Sequence, residues 1–235
     1  MLNCPLLFEK LEQLIFGGGF HPEQSTTGEL IHIFGKAGSG RTTLALQIAC
    51  NISLLGQKVL YIDTEGKVSG KRIKELVGDK FKQVNDQLKL FYPKNFSEQH
   101  DFIQRIEFYL SNREIGLIVV DTITNLYRQG RMLGTIGKNN YEKLAFQVAL
   151  LRQLAKKHSL KILLINQATI SKKDDPGNLK REQVSPVAKA IMNYWADREI
   201  ILVAYGWGDF EARIPGEFEG RVKFKIDASG VTPNE

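Results

Sequence analysis

A glycine-rich segment of eight residues, 35–42, constrains the fold of this chain more than any other part of its sequence. It follows an apolar run at residues 29–34 and precedes a segment whose apolar side chains recur every three or four residues. The segment fits the phosphate-loop pattern GxxxxG(K/R)(S/T). Its glycines allow backbone N–H groups to surround phosphate oxygens, and the helix that follows adds the positive end of its dipole. The strand before it and the helix after it favour a nucleotide site over the alternative, a glycine turn without a ligand.

Arginine occupies the position in this pattern where lysine is usual. The guanidinium of Arg41 is planar and delocalised, whereas the ammonium of lysine is a compact point charge. Phosphoryl transfer depends on charge placed accurately against the phosphate oxygens, so we expect nucleotide to bind while hydrolysis is slow. The hydroxyl of Thr42 is expected to contact Mg²⁺. The residues expected to bind nucleotide are Gly35, Lys36, Ala37, Gly38, Ser39, Gly40, Arg41, Thr42 and Thr43.

Three further apolar runs each end in polar side chains that could reach this loop. Asp121 would orient Mg²⁺ or its water ligands, although aspartate at a strand end also serves as a turn former. Glu65 could polarise a water near the γ-phosphate, or could be a solvated turn carboxylate. Gln167 could touch the nucleotide and pass its state to the segment that follows, or could be an ordinary strand end. Ligands in open parallel sheets bind at the carboxyl edge, and all three residues are expected there.

Strand-like and helix-like segments alternate along most of the chain. This alternation predicts an α/β fold with a mostly parallel central sheet flanked by helices. The run at 199–204 and the alternating residues 222–226 are expected to add antiparallel strands at the C-terminal edge. We expect a single domain over residues 1–235. The other predicted strands are 29–34, 59–62, 88–92, 117–120 and 161–165, and the predicted helices begin near Thr42, at Ser97 and at Tyr141.

Two stretches, residues 128–140 and 168–189, lack clear periodicity and are expected to be long loops. Both carry basic side chains that could meet DNA phosphates. In the second stretch Asp174, Asp175 and Glu182 offset much of this charge, so a solvated loop is an equally good interpretation. The candidate DNA-binding residues are Arg128, Arg131, Lys138, Lys172, Lys173, Lys180 and Arg181.

Bulk composition narrows the classes of function. The net charge of +6 favours a polyanionic partner only slightly. The chain has no apolar run near 18 residues and no signal-peptide pattern, so we expect a cytoplasmic protein without a membrane partner. Cys4 and Cys50 have no metal-binding spacing and are expected to be ordinary hydrophobic residues. The scattered histidines suit neither zinc nor a nucleophilic dyad.

Taken together, these segments resemble the RecA superfamily, and within it the archaeal RadA and RadB branch, RadB-like paralogues most of all. The resemblance rests on the order and spacing of many pieces along nearly the whole chain. They are the lead-in at residues 8–19, the loop at 35–42, and the segments 61–66, 117–128, 166–167, 194–198 and 222–231.

The resemblance implies a RecA-like ATPase core that binds ATP and Mg²⁺. It implies that Thr42 coordinates Mg²⁺, that Glu65 is the catalytic carboxylate, that Asp121 is the Walker B acid and that Gln167 senses the γ-phosphate. The stretches 128–140 and 168–189 take the places of the family's two DNA-binding loops, and the partners implied are single-stranded DNA and the main recombinase or another repair protein.

Two departures from the family pattern limit the activity to be expected. Arg41 puts vigorous hydrolysis in doubt. The core also begins near residue 1, so we expect neither the separate N-terminal DNA-binding domain nor the filament tether of full recombinases. These departures predict an accessory protein of recombination and repair with weak ATP hydrolysis. The alternative is a regulatory module of the same fold that senses nucleotide and binds a protein partner instead of DNA.

Overall fold

The computed structural model describes residues 7–18, 27–110, 115–132, 138–172, 182–216 and 220–234. These residues form an α/β fold in which helices cover both faces of one sheet. The helices are α1 (Glu9–Phe16), α2 (Arg41–Leu54), α3 (Gly70–Val77), α4 (Phe81–Gln87), α5 (Phe96–Leu110), α6 (Asn125–Met132), α7 (Lys138–His158) and α8 (Lys189–Trp195). A short 3₁₀ turn, Gly78–Lys80, joins α3 to α4.

The strands of the sheet are ordered β10-β9-β8-β7-β1-β5-β4-β2-β3. Strand β6 is not part of this order and pairs with the C-terminal half of β5. The six strands from β7 to β3 run parallel, whereas β8, β9 and β10 are antiparallel at the C-terminal edge. The bounds are β1 (Glu29–Gly35), β2 (Lys58–Asp63), β3 (Leu88–Phe91), β4 (Ile115–Asp121), β5 (Lys161–Lys172), β6 (Glu182–Pro186), β7 (Arg198–Gly206), β8 (Asp209–Arg213), β9 (Val222–Asp227) and β10 (Gly230–Pro233). The predicted fold class is confirmed.

The central strands are apolar on both faces because helices cover both. On one face α1, α2, α3 and α4 pack with the antiparallel strands, and on the other α5, α6, α7 and α8 pack. Alternate residues of β1 show the division, since Ile31 and Ile33 enter the first core and Leu30 enters the second. The sheet is therefore packed between two buried cores, which fix the positions of the strand ends that carry the candidate site.

Two predictions of local structure were wrong in the parts that the structure describes, whereas residues 133–137 and 173–181 lie outside the described residues. The stretch 128–140 was expected to be a loop, but it contains the end of α6 and the start of α7. The stretch 168–189 was also expected to be a loop, yet β5 continues to Lys172 and pairs antiparallel with β6 as a hairpin. The hairpin depends on pairing between two strands, Lys172 with Glu182 through Ala168 with Pro186, which the periodicity within either segment does not reveal.

A third prediction was partly wrong. The run at 199–204 lies in β7, which pairs parallel with β1 and antiparallel only with β8. Residues Ile200, Ile201 and Leu202 are all buried, as in a strand covered on both faces. The alternating strand β9 is antiparallel, as expected.

The helices of the described residues include none with both the length and the apolar character of a membrane-spanning segment.

Candidate nucleotide site

The glycine-rich loop connects β1 to α2, as the sequence indicates, and its backbone requires glycine. Gly38 and Gly40 have φ angles of 76° and 80°, in the left-handed region. A Cβ added at Gly40 would collide with Ile226 of β9. A Cβ at Gly35 would collide with Ser39 and with the carbonyl of Leu202. Close packing against β7 and β9 therefore holds the loop at the start of α2.

A cavity of about 480 Å³ opens over this loop. The loop residues from Ala37 to Thr43 line it, and they are joined by Glu65 from the turn after β2 and by Gln167, where the parallel pairing of β5 with β1 ends. The structure thus brings together candidate residues that lie far apart in sequence. The first two residues of the loop, Gly35 and Lys36, do not line the cavity. The other lining residues are Leu46, Lys67, Arg72, Phe210 and Ile226.

Arg41 points into the protein and is only 9% exposed. Its Nη1 donates a hydrogen bond to the backbone carbonyl of Asn166, at the end of the parallel part of β5. Burial lowers the pKa of Arg41 from its ordinary value, and the nearby carboxylates of Asp121 and Glu65 oppose that shift. The guanidinium is therefore a cation held between two acids and a backbone carbonyl.

Asp121 is the last residue of β4 and is 2% exposed. The hydroxyl of Tyr61 donates to its Oδ2 across 2.7 Å, while its buried Oδ1 accepts no hydrogen bond of normal geometry. Burial raises the pKa of Asp121 to about 6, against the opposing effects of Tyr61 and the nearby side chain of Thr42.

The free oxygen of Asp121 and the hydroxyl of Thr42 are hard oxygen donors of the kind that Mg²⁺ prefers. Within the described part of the chain, no cluster of three or more His, Cys, Asp and Glu side chains could hold a metal by itself. One carboxylate and one hydroxyl nevertheless suit Mg²⁺, which takes its remaining ligands from water and phosphate. The residues present therefore fit the expected ion.

Glu65 is held in a network that turns it toward the cavity. Asp63 accepts hydrogen bonds from the backbone N–H groups of Glu65, Gly66 and Val68 at 3.0, 2.9 and 2.8 Å, which shapes the turn after β2. Gln167 Nε2 donates to Glu65 Oε1 across 2.6 Å, and the exposed Lys67 pairs with Glu65 Oε2. Both carboxylate oxygens of Glu65 thus have partners.

Arg128 joins the same network from α6. Its Nη1 donates to Gln167 Oε1, so the amide of Gln167 connects Glu65 to Arg128. This contact places a residue that we expected to bind DNA beside the candidate catalytic residues. Nothing in the local sequence signals it, because it requires β5 and α6 to be neighbours in space.

Sequence reasoning also missed several polar residues around the site. Tyr61 was assigned only to a strand, and its role follows from the pairing of β2 with β4. Thr64 Oγ1 donates to the carbonyl of Thr122 across 2.9 Å, and Asn125 Nδ2 donates to the carbonyl of Thr64 across 2.8 Å. These bonds join the turn after β2 to the segment between β4 and α6.

The other candidate DNA-binding residues are described only in part. Arg131, Lys138 and Lys172 belong to α6, α7 and β5, respectively, but the structure describes only their backbones and not their side chains. Lys173, Lys180 and Arg181 lie outside the described residues altogether. Their contact with DNA stays a prediction.

The Rad51 family model matches residues 8–216, which is most of the chain. The chain belongs to the Rad51 family. Similar proteins named DNA repair and recombination protein RadB occur in several archaea. The one from Methanothermobacter thermautotrophicus is 32% identical over 231 residues, covering 92% of this chain and 91% of the relative. The one from Methanococcoides burtonii is 29% identical over 225 residues, covering 94% and 93%.

A third relative of that name, from Methanobrevibacter smithii, is 32% identical over 171 residues, covering 72% of this chain and 70% of the relative. The chain is therefore a RadB-like member of the Rad51 family, and the resemblance inferred from its motifs is confirmed. Its RecA-like core follows from the family match and the observed sheet.

Proposed function

We propose that this chain is an accessory protein of homologous recombination and DNA repair that binds ATP, Mg²⁺ and DNA and hydrolyses ATP slowly. One observation carries the nucleotide part. A single cavity of about 480 Å³ collects the phosphate-loop residues from Ala37 to Thr43 with Glu65 and Gln167, and the carboxylate of Asp121 lies close to Thr42 and Glu65. The printed name of the RadB relatives supports the recombination and repair part.

The candidate residues of the site have distinct chemical tasks in this proposal. The backbone N–H groups of the loop bind the phosphates at the start of α2. Thr42 and Asp121 hold Mg²⁺, which when bound neutralises charge on the phosphate oxygens. Glu65 orients the attacking water and accepts its proton. Since both oxygens of Glu65 are engaged, by Gln167 and Lys67, it must release one of these partners before it can act.

Arg41 accounts for slow turnover. Its side chain is tied to the carbonyl of Asn166 and lies near two carboxylates, so it must give up these contacts to reach phosphate. A guanidinium also spreads its charge over a planar fork, whereas transfer of the γ-phosphate is assisted by charge placed accurately. Nucleotide binding is maintained because the loop amides supply most of the contacts.

The DNA part of the proposal concerns the two basic stretches at 128–140 and 168–189 and single-stranded DNA as the ligand. Arg128 bonds to Gln167 in the nucleotide site and belongs to the first stretch, and Gln167 directly precedes the second. Binding or loss of the γ-phosphate at Gln167 would therefore affect the first stretch through Arg128 and the second through the chain that directly follows Gln167. We propose the main recombinase, or another repair protein, as the protein partner.

The test pairs two measurements on the whole protein. One is equilibrium binding of a fluorescent ATP analogue with Mg²⁺, and the other is phosphate release with and without single-stranded DNA. We expect tight analogue binding, slow release, and DNA binding that weakens as salt rises, because phosphate contacts release counterions. Absence of analogue binding would refute the nucleotide site, and brisk release would refute the role of Arg41.

A second candidate is a regulatory module that binds nucleotide and a protein partner but not DNA. The end of β7 and the turn after it favour this candidate, because Tyr205 in β7 is 60% exposed and Trp207 in the turn is fully exposed. Exposed aromatic residues are typical anchors of protein interfaces. The salt dependence of single-stranded DNA binding separates the two candidates, since this module would show no binding at any salt concentration.

A further inference from the structure

Asn166 is a buried amide whose every polar group has a partner. The residue is 0% exposed and lies one position before Gln167 on β5. The hydroxyl of Thr124 donates to its Oδ1 across 2.6 Å, and its Nδ2 donates to the carbonyl of Val187 across 2.9 Å. Its backbone carbonyl accepts from Arg41. One residue therefore contacts both the phosphate-loop arginine and Val187.

His32 fixes the orientation of this amide from the other side. The ring is 0% exposed, and its Nδ1 lies 2.9 Å from Oε1 of Glu199. A carboxylate only accepts, so Nδ1 carries a hydrogen, and burial lowers the pKa of His32, which favours the neutral ring in which Nε2 is an acceptor. Asn166 Nδ2 lies 3.2 Å from that Nε2. With a donor at its oxygen and acceptors at its nitrogen, the amide has a single favourable orientation.

Val187 is the first residue after β6, at the base of the β5–β6 hairpin. Pairing runs from Lys172 with Glu182 down to Ala168 with Pro186, and Val187 follows directly. Its N–H donates to the carbonyl of Gln167 across 3.0 Å. The base of the hairpin is thus held twice, by the backbone of Gln167 and by the side chain of Asn166.

We propose that Asn166 is a positioning residue that couples the nucleotide cavity to the β5–β6 hairpin. Its side chain fastens Val187 at the hairpin base, and its carbonyl holds Arg41, so a displacement of Arg41 by phosphate shifts the same peptide that positions the hairpin. The coupling rests on the nucleotide binding proposed above. The fastening of the hairpin does not, because it consists of contacts within the protein.

The first experiment measures the fastening by hydrogen–deuterium exchange of the peptide 182–188 in the full chain without nucleotide. Asn166→Asp keeps an acceptor for Thr124 but cannot donate to Val187 or His32. Exchange of this peptide should accelerate about tenfold, as expected for a buried hydrogen bond lost at a local opening site. Peptides from β2 and β4 should exchange at the wild-type rate, which a general loss of stability would not allow.

Two threonine variants complete the experiment, one as a second test and the other as its matched control. Thr124→Val removes only the buried hydroxyl that orients the amide, at nearly constant shape, and should accelerate exchange about threefold. It also keeps the proposal testable should Asn166→Asp fold poorly. Thr169→Val removes an exposed hydroxyl that donates to the carbonyl of Ser185 within the same hairpin, across 3.2 Å. Exchange at 182–188 in this variant should stay near the wild-type rate.

The second experiment measures the coupling with a fluorescent, slowly hydrolysed ATP analogue and Mg²⁺. Saturating analogue should change exchange at 182–188 by about threefold or more in the wild type. Asn166→Asp should abolish this change while its Kd for the analogue stays within about threefold of wild type. That combination separates coupling from simple loss of the site.

The outcomes are distinguishable. Unaltered exchange at 182–188 in Asn166→Asp and Thr124→Val would overturn the fastening, whatever the protein binds. Analogue binding without any change at the hairpin of the wild type would overturn the coupling alone. Absence of analogue binding by the wild type would overturn the proposed function and the coupling with it, and the unliganded exchange data would still decide the fastening.

Discussion

The buried charge of Asp121 lowers the free energy of unfolding, and the size of this effect follows from its pKa. Asp121 is 2% exposed, and burial raises its pKa from 3.8 to about 6. The folded state therefore binds the proton more tightly than the unfolded state, and the free energy of unfolding falls as pH rises from about 4 to about 6. A difference of about 2 pKa units corresponds to about 3 kcal/mol, lost in full above that window.

We predict that Asp121→Asn is more stable than the wild type at pH 8 in the absence of nucleotide and Mg²⁺. The amide is neutral, and its oxygen can still accept from the hydroxyl of Tyr61. The expected gain is about 1–3 kcal/mol in the free energy of unfolding; the upper value is the full cost of the buried charge, and the lower value allows for the lost attraction between Asp121 and Arg41. Urea unfolding at pH 4.5 and pH 8 measures it, and the gain should shrink toward zero at the lower pH.

The control is Asp79→Asn, a change of the same kind at an exposed residue of the 3₁₀ turn. It should leave the unfolding curves unaltered at both pH values. An Asp121→Asn protein that is no more stable than wild type at pH 8, or whose stability has the same pH dependence, would refute the reasoning. The variant should also lose Mg²⁺-dependent binding of the ATP analogue, so stability and binding are expected to move in opposite directions.

Three further predictions concern the loop and its helix. Arg41→Lys should accelerate phosphate release about tenfold or more with the Kd for the analogue little altered, since a compact ammonium is the usual charge there; an unaltered rate would contradict the role of the guanidinium. Gly40→Ala should lower the free energy of unfolding by about 1–3 kcal/mol in thermal denaturation, because its Cβ would collide with Ile226 and its φ is 80°. Burial raises the pKa of Cys50 to about 12. In a Cys4→Ser background, Cys50 should therefore resist a thiol reagent at pH 8 until urea unfolds the protein, and rapid reaction of the folded protein would show that it is accessible.

Sequence patterns were sufficient for the parts of this molecule whose signals are local. The phosphate loop is a contiguous motif, and the helix that follows it has a clear apolar period. Asp121, Glu65 and Gln167 each follow an apolar strand, and parallel strands place such ends on one edge of the sheet. Their convergence was predictable for this reason, even though more than 50 residues separate Glu65 from Asp121.

Only the tertiary structure decided which partners these side chains have. The parallel pairing of β7 with β1, the β5–β6 hairpin and the bond from Arg128 to Gln167 depend on strand register and on neighbours that are distant in sequence. The raised pKa of Asp121 depends on burial, and the orientation of Asn166 depends on Thr124 and His32. Hydrogen-bond geometry and solvent exclusion are properties of packed side chains, so no local pattern in the sequence contains them.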